Sequence, residues 1–419
     1  MATRRAWALV LIALALYILA NQTQVGWTYI MSNALIGLVL VTFVYGLGML
    51  KPTEIRRVVH NLSPRPAQTT LPFAQREQAQ APDHSQLDQL AWQSAEFYED
   101  DPVEVTLQFN HKGLRPAFLV GGQEYCPFAP EAEQTQTFFV PMLFKGRSIR
   151  LSYHTCCHRR GNYQFPGLCL HTPGPFGLFG TRRTLEASGE ILIYPNYFPL
   201  NRMRLLENRG FADKQALRVG ASSEVVGTRE YRSGDSLRQI HWRSTARVSK
   251  LVVKEFLDTD QLTMTVVLDL SKQGNVGAGK FSTFETAVRL AASFGYYAAR
   301  QNIPFHLAGQ SQRWRPPATA LSWWGILNYL AKVENDGRAS LAEVLSNLPA
   351  QPFVVVLVSK PDEAIDRELV SLQRKGIQTL AIFISLDGST PASSLSQSGL
   401  GLEQRRVNPH NWTAIFDEV

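Results

Sequence analysis

Two clusters in this chain hold residue types that can do chemistry. Gly274-Asn275-Val276-Gly277-Ala278-Gly279-Lys280 is a near-match to a phosphate-binding loop, in which glycine amides and a lysine ammonium cradle phosphate oxygens. It follows an apolar strand-like run and precedes a helix-like one, which is the context that chemistry needs. Phe281, however, stands where a Mg²⁺-binding Ser or Thr belongs, and Ser282 comes one residue late, about 100° further round a helix. The loop reads better as a glycine-rich connection, with a nucleotide-binding enzyme as the alternative. The second cluster is His154, Cys156, Cys157, His158, Cys169 and His171, thiols and imidazoles of the kind that hold zinc. Arg160-Gly161 looks like a hairpin turn, pairing residues whose numbers sum to about 321. Cys169 then falls opposite Ser152, roughly 13 Å along the strand from Cys156, too far for one tetrahedral ion. Ordinary reduced thiols in a strand hairpin are expected. No nucleophile elbow, zincin or paired-cysteine motif occurs elsewhere, so no catalytic residue is assigned.

The elements that must position these residues begin with an apolar N-terminus. The chain has 419 residues, 45% hydrophobic and only 18% charged, against roughly 25% charged in soluble domains. Four cysteines in that length exclude a disulfide scaffold. Between Arg5 and Lys51 there is no charged residue, and the run divides at Asn21-Gln22-Thr23-Gln24. The second stretch, residues 25–50, makes about 39 Å of helix, enough to cross a hydrocarbon core of ~30 Å. The first, residues 7–20, lacks a good small-x-small cleavage site at its end, since Ile18 sits two residues before Ala20, and reads as the other arm of a hairpin. Arg4 and Arg5 flank one end, Lys51, Arg56 and Arg57 the other, and the turn has no cation. The positive-inside rule therefore places both termini and everything after residue 50 in the cytoplasm; the expected location of residues 7–50 is the plasma membrane of a prokaryote.

After this two-helix anchor (1–50), residues 51–96 read as a Gln-, Pro- and Ala-rich linker. Residues 97–200 carry short β-like runs at 103–107, 117–120, 137–140 and 149–153, spaced by Gly and Pro as in an all-β sandwich-like domain. Residues 201–261 form a basic segment. Between 182 and 254 there are 14 Lys or Arg against 7 Asp or Glu, a surplus that suits anionic lipid, nucleic acid or an acidic partner. Residues 262–419 alternate strands at 262–270, 303–308, 353–358 and 377–384 with helices at 281–300, 323–333, 341–348 and 363–375. That order predicts a mostly parallel Rossmann-type α/β sheet covered on both faces.

Within the basic segment lies Glu230-Tyr231-Arg232-Ser233-Gly234-Asp235-Ser236-Leu237-Arg238-Gln239-Ile240-His241-Trp242-Arg243-Ser244-Thr245-Ala246-Arg247. Gly234 and Asp235 predict a turn and N-cap, with a helix from Ser236 whose Leu237, Ile240 and Trp242 face a core. The arginines read as a structural clamp in preference to a phosphate site, since no nucleophile accompanies them. With Leu251-Val252-Val253-Lys254-Glu255-Phe256 behind it, the stretch resembles the signature of domain-of-unknown-function family fifty-eight. Arg160-Gly161-Asn162-Tyr163, Pro175-Phe176-Gly177-Leu178-Phe179 and Ile193-Tyr194-Pro195 are similar to the same family.

The resemblance implies a C-terminal von Willebrand factor A-like domain, and a role as a membrane-bound adaptor beside MoxR-type AAA+ ATPases. Such a domain binds Mg²⁺ through Asp-x-Ser-x-Ser after its first strand, oxygen ligands suited to a hard cation. Asp269 and Ser271 match, but Gln273 replaces the second Ser, Lys272 adds a positive charge, and Val358-Ser359-Lys360 lacks the later Asp. These departures argue against a bound ion, and no cofactor is expected. The expectation is a non-enzymatic, membrane-anchored adaptor or assembly protein whose A-like domain holds a protein partner. A basic nucleic-acid or lipid module is the weakest reading, because Tyr231 and Trp242 are the only interleaved aromatics.

Overall fold

The computed structural model describes residues 2–63, 96–185, 189–203, 225–231, 240–248, 250–256, 262–313, 315–349, 351–386 and 402–417. The chain divides into two compact units, Met1–Asn196 and Tyr197–Val419.

The first unit opens with α1, Arg4–Thr23, and α2, Gly26–Gly46, both long and apolar enough to cross a membrane. Asn21, Gln22 and Thr23 extend α1 instead of forming the turn, because the Thr23 hydroxyl bonds back to Leu19 O at 2.8 Å. The chain reverses at Gln24, in the left-handed region at φ 60°. Ala6, Ala13 and Ala20, seven residues apart, are the buried positions of α1. Small side chains there let the backbones approach closely, and Ser32 Oγ donates to Ala13 O at 2.8 Å. Trp7, Leu11, Ile18, Trp27, Leu40 and Val41 point outward.

The β part comprises β1, Thr53–Asn61; β2, Phe97–Tyr98; β3, Pro102–His111; β4, Ala117–Tyr125; β5, Thr135–Leu143; β6, Ser148–Cys156; β7, Gly161–Phe165; β8, Leu168–Thr172; β9, Thr181–Leu185; and β10, Gly189–Tyr194. They form sheets of order β1-β3-β6, β5-β4-β8-β9 and β2-β10-β7. Alternating Leu107 and Phe109 of β3 meet Val120, Val140, Leu143, Leu168 and Leu170 of the four-stranded sheet, with Met49 and Leu50 tucked among them.

Two expectations are corrected here. Residues 53–61 are not linker but an edge strand, antiparallel to β3 with Thr53 opposite His111; residues 64–95 lie outside the described residues. The strand is hidden in the sequence because it carries charge. Arg57 is nonetheless buried, with Nε 2.6 Å from Glu124 Oε1 and its guanidinium 4.1 Å over the Phe165 ring. Nor do β6 and β7 form a hairpin: β6 pairs with β3, and β7 with β10. Cys156 lies opposite Pro102, while Cys169 sits in β8 between Gln123 and Thr184.

None of the four cysteines is in a disulfide; Cys126 and Cys157 are buried, Cys156 and Cys169 half-buried. Burial pushes the Cys126 thiol from 9.0 up to about 11 and raises that of Cys157 as well. The reactive species is the thiolate, and a two-unit rise cuts its fraction about 100-fold. Alkylation of the native protein followed by peptide mass spectrometry is expected to label Cys156 and Cys169 first. Cys126 and Cys157 should react only after denaturation, and equal labelling of all four would refute that burial.

In the second unit β11, Val225–Glu230, pairs antiparallel with β12, Val252–Phe256, and α3, Trp242–Val248, lies between them in sequence. Then follow β13, Met264–Leu268; α4, Thr283–Arg300; β14, Phe305–Ala308; α5, Trp323–Lys332; α6, Leu341–Ser346; β15, Phe353–Val358; α7, Glu363–Arg374; β16, Gln378–Ile384; and β17, Leu402–Val407. The five strands form a wholly parallel sheet of order β14-β13-β15-β16-β17. Val267, Val354, Val356, Val358 and Phe383 pack against Leu341, Leu345, Ile365, Leu369 and Leu372 of α6 and α7. Alternate residues such as Val266, Val355 and Ile382 are equally buried, so by the pleat they face the other side. Burial on both faces is why these strands read as unbroken apolar runs. The strand β17 and the 3₁₀ segment Pro409–Asp417 carry no run that the sequence reading had picked out.

Candidate functional site

In chain order the sheet reads second-first-third-fourth-fifth, so the chain leaves β13 to one side for β14 and to the other for β15. Open α/β sheets take ligands where that reversal opens a crevice at the carboxyl ends of the strands. Asp269 and Ser271 follow β13 at this place, and Ser359 follows β15.

Asp269 is buried, and its Oδ1 accepts from Ser271 N at 3.0 Å and from Ser271 Oγ at 2.7 Å. The turn is clamped from the other side. Gly337 N donates to Leu270 O at 2.8 Å, and the Asn335 carboxamide nitrogen donates to Leu270 O at 2.8 Å and Ser271 O at 2.7 Å. Gly274 N bonds Ser271 Oγ at 3.2 Å. A Cβ on Gly274 would stand 1.9 Å from Asp269 Oδ2, so glycine is required to admit the chain's own carboxylate.

The rest of the loop is spent on α4. The first four amides of a helix lack intrahelical partners and are what a phosphate loop would offer. Here Ser282 N donates to Gly279 O at 3.3 Å, Thr283 N to Val276 O at 3.0 Å, Phe284 N to Asn275 Oδ1 at 3.1 Å, and Glu285 N to Ser282 Oγ at 3.2 Å. Val276 N is taken by Thr283 Oγ1 at 2.9 Å. Phe281 stacks on His410, ring centres 4.6 Å apart. The amides of the helix start are thus taken by the loop and the Ser282 cap and are not available to a phosphate.

Beyond β14, Asp336 Oδ1 accepts from Ser311 Oγ at 2.6 Å and Gln312 N at 3.1 Å. Burial pushes this carboxyl up, but the bonds from Ser311 and the Gln312 and Arg313 amides hold it below 3.8, its ordinary value. Ser359 is buried, and exposed Lys360 follows it. Among the described residues no group of three or more His, Cys, Asp or Glu is placed to hold a metal.

The signature segment differs from its expected shape. Gly234, Asp235 and Arg238 lie outside the described residues, so the proposed turn and cap do too. Tyr231 is half-buried, with its N–H on Leu251 O at 2.9 Å. Ile240 is buried but extended, bridged to Val253, and His241 N donates to Val252 O at 2.8 Å. The helix starts only at Trp242. His241 Nδ1 lies 2.6 Å from Ser244 Oγ, and Thr245 Oγ1 accepts from Val252 N at 3.1 Å. This fixes the Ser244–Thr245 side toward β12 and turns Trp242 outward, 66% exposed, with Arg243, Ala246 and Arg247 also exposed. The expectation that Trp242 faces a core is thus corrected: an extended pair precedes the helix and resets its phase. Trp242 thus stands exposed beside Arg243 and Arg247, a placement that helix periodicity alone had hidden.

Residues 227–358 match the family described as "Protein of unknown function DUF58". The uncharacterized protein YeaD of Bacillus subtilis (strain 168) is 25% identical over 151 residues, 35% of this chain and 35% of that protein. The match therefore spans about a third of that relative's length. Among solved structures, a GH20 exo-β-N-acetylglucosaminidase from Vibrio harveyi aligns over 80% of this chain and 57% of its own, at 7% identity and TM-score 0.21. Cwp6 from Clostridium difficile aligns over 77% and 38%, at 10% identity and TM-score 0.14. Overlaps that low carry no argument about this fold. With the 231–247 motif inside the matched segment, residues 227–358 are a DUF58 region, a family whose description assigns no function.

Proposed function

We propose that this protein is a membrane-anchored adaptor whose α/β unit presents a docking surface to a protein partner. The observation that carries the reading is the closed loop after β13. At the switch point of the sheet, Asp269 bonds Ser271, Asn335 and Gly337 hold the carbonyls of Leu270 and Ser271, and residues 274–276 bond Ser271 and the start of α4. A turn held at both ends by its own hydrogen bonds is a preformed surface, suited to binding without rearrangement. Asp269 and Ser271 at the end of the first strand also support the von Willebrand A-like assignment. Trp242, Arg243 and Arg247 add an exposed aromatic and cations, residue types enriched at interface centres. The anchor is α1 and α2. Most of their side chains are exposed, unlike those of a soluble core helix, and Arg4, Arg5 and Lys51 at the two chain ends of the hairpin favour a cytoplasmic location. The partner class is a MoxR-type AAA+ ATPase.

Affinity capture of such an ATPase by the full-length protein in detergent, with ATP and Mg²⁺, tests this. Wild type is expected to retain the ATPase, and an Asp269→Ala, Lys280→Ala double variant to retain at least tenfold less with an unchanged melting temperature. Equal capture by both proteins would place the contact elsewhere. ATP hydrolysis by the lone wild-type protein, lost in the variant, would replace the adaptor by an enzyme.

A further inference from the structure

The β part of the first unit is fastened directly to the ends of the helices. Thr3 N and Oγ1 donate to Leu178 O at 2.9 and 3.0 Å, and Thr181 Oγ1 to Gly46 O at 3.1 Å. Tyr45 OH donates to Pro116 O at 2.9 Å, and Phe43 meets Phe179 edge-on at 5.3 Å. Arg183 Nη1 bonds Leu50 O at 2.6 Å, and Met49 and Leu50 enter the sandwich core. The hairpin and the β part therefore move as one piece, without a flexible stalk between them.

That fastening sets a depth. The 21 residues of α2 make about 31 Å of helix, matching a hydrocarbon core of ~30 Å. No turn is left over, so Phe43 to Gly46 end at the membrane boundary, and the loops bonded to them lie at headgroup level. The loops at this end are rich in exposed apolar side chains: Leu114 is 85% exposed, Phe176 60% and Phe144 44%. Lys145 is bridged to His111, which puts the 144–147 loop at the same end of the β part. Segments 47–54, 111–116, 144–147 and 174–182 hold Lys51, Lys112, Arg115, Lys145, Arg147 and Arg182 against one carboxylate, Glu54, and Lys112 engages that one at 2.6 Å. From Arg115 an open groove of about 350 Å³ runs down α2 between Leu40, Val41, Val44 and Tyr45. Leu40 is more than one helical turn inside the boundary. Arg115 spends one donor on Val44 O, at 3.0 Å, and a guanidinium carries five.

We propose that this groove binds an anionic phospholipid, with an acyl chain along Leu40, Val41 and Val44, its phosphate on Arg115, and Leu114 and Phe176 inserted at the membrane surface. Apolar walls that continue the lipid-facing side of a spanning helix suit a chain, and the cationic rim suits a charged headgroup, since basic residues near an anionic surface are attracted to it. The inference rests on the anchor reading above, and the experiment separates the two.

The full-length protein, with Cys156→Ser and Cys169→Ser as background, is labelled with bimane at Leu114→Cys or at Ile36→Cys in mid-α2. It is placed in nanodiscs of phosphatidylcholine with or without phosphatidylglycerol, with nitroxide lipids as quenchers. Ile36 is expected to be quenched from the chain ends and Leu114 from the headgroup-proximal position. Native mass spectrometry should show phosphatidylglycerol retained over phosphatidylcholine, the preference falling at least tenfold in Arg115→Gln and surviving in Arg115→Lys. An unquenched Ile36 overturns the anchor and the proposal with it. A quenched Ile36 with an unquenched Leu114, or a lipid preference that Arg115→Gln leaves unchanged, overturns the lipid site alone.

Discussion

Arg57→Ala is expected to lower the stability of the β part by about 3–5 kcal/mol, the cost of leaving a buried charge without its partner. The side chains of Arg57 and Glu124 are 7% and 0% exposed, so water cannot replace the lost guanidinium. Burial pushes the Glu124 carboxyl above its ordinary 4.5, and Arg57 pulls it back only in part. The sign of the pH dependence follows from that. A carboxyl whose folded pKa is raised is stabilised in its protonated form. Ionised Glu124 therefore costs nothing below 4.5 and costs progressively more as pH rises through its folded pKa. Removing Arg57 raises that pKa further, so the deficit against wild type should widen as pH rises above 4.5. Urea unfolding of the detergent-solubilised protein at several pH values measures it. Replacing both residues by Met should recover most of the loss, since a well-packed apolar pair is often as stable as a buried ion pair. A single variant within about 0.5 kcal/mol of wild type would show that the pair is hydrated.

Gly337→Ala is the second large effect. A Cβ there would lie 2.4 Å from Gln310 O and 2.8 Å from Leu270 O. Both are backbone atoms, so no rotamer relieves the contact, and overpacking of this kind costs roughly 1–3 kcal/mol or more. The substitution also pushes apart the bridge between Gly337 and Ser271, loosening the turn that holds Asp269. For a unit of this size each kcal/mol lowers the melting temperature by about 2–4 °C, and thermal unfolding of the full chain reads it. Gly274→Ala should behave differently. Its clash is with the Asp269 side chain, which can be expelled toward solvent, so partner capture should fall further than stability. Equal losses from the two substitutions would show that the Asp269 turn is not a separable part of the site.

Much of the architecture was legible in the residues. The uncharged run from 6 to 50 announced two helices. The unbroken runs at 262–270 and 353–358 announced strands buried on both faces, and the helical periods between them announced parallel order. Such features depend on near neighbours and on burial, and local sequence encodes both. The site was less legible. Asp269 and Ser271 were singled out by the family resemblance, and a 2.7 Å bond joins them. The clamp formed by Asn335 and Gly337 comes from a loop more than 60 residues away, and no local pattern marks it.

Where charge sits inside the fold, the sequence misled. Residues 53–61 looked solvated because Arg56, Arg57 and Glu54 break the apolar pattern, yet Arg57 is buried by a carboxylate 67 positions along the chain. The 160–161 turn suggested a local hairpin, and tertiary pairing sent its two strands to different sheets. The period of the signature helix pointed Trp242 inward, and three hydrogen bonds to β12 and its own cap turned it out. The sequence by itself determined which segments are apolar enough to span or to form buried strands, because composition and period set the cost of exposing them to water. Only the tertiary structure decided which strands pair, which charges are buried together and which loop amides are already taken. Those are contacts between residues far apart in the chain, and their free energy exists only once the fold has brought them within hydrogen-bonding distance.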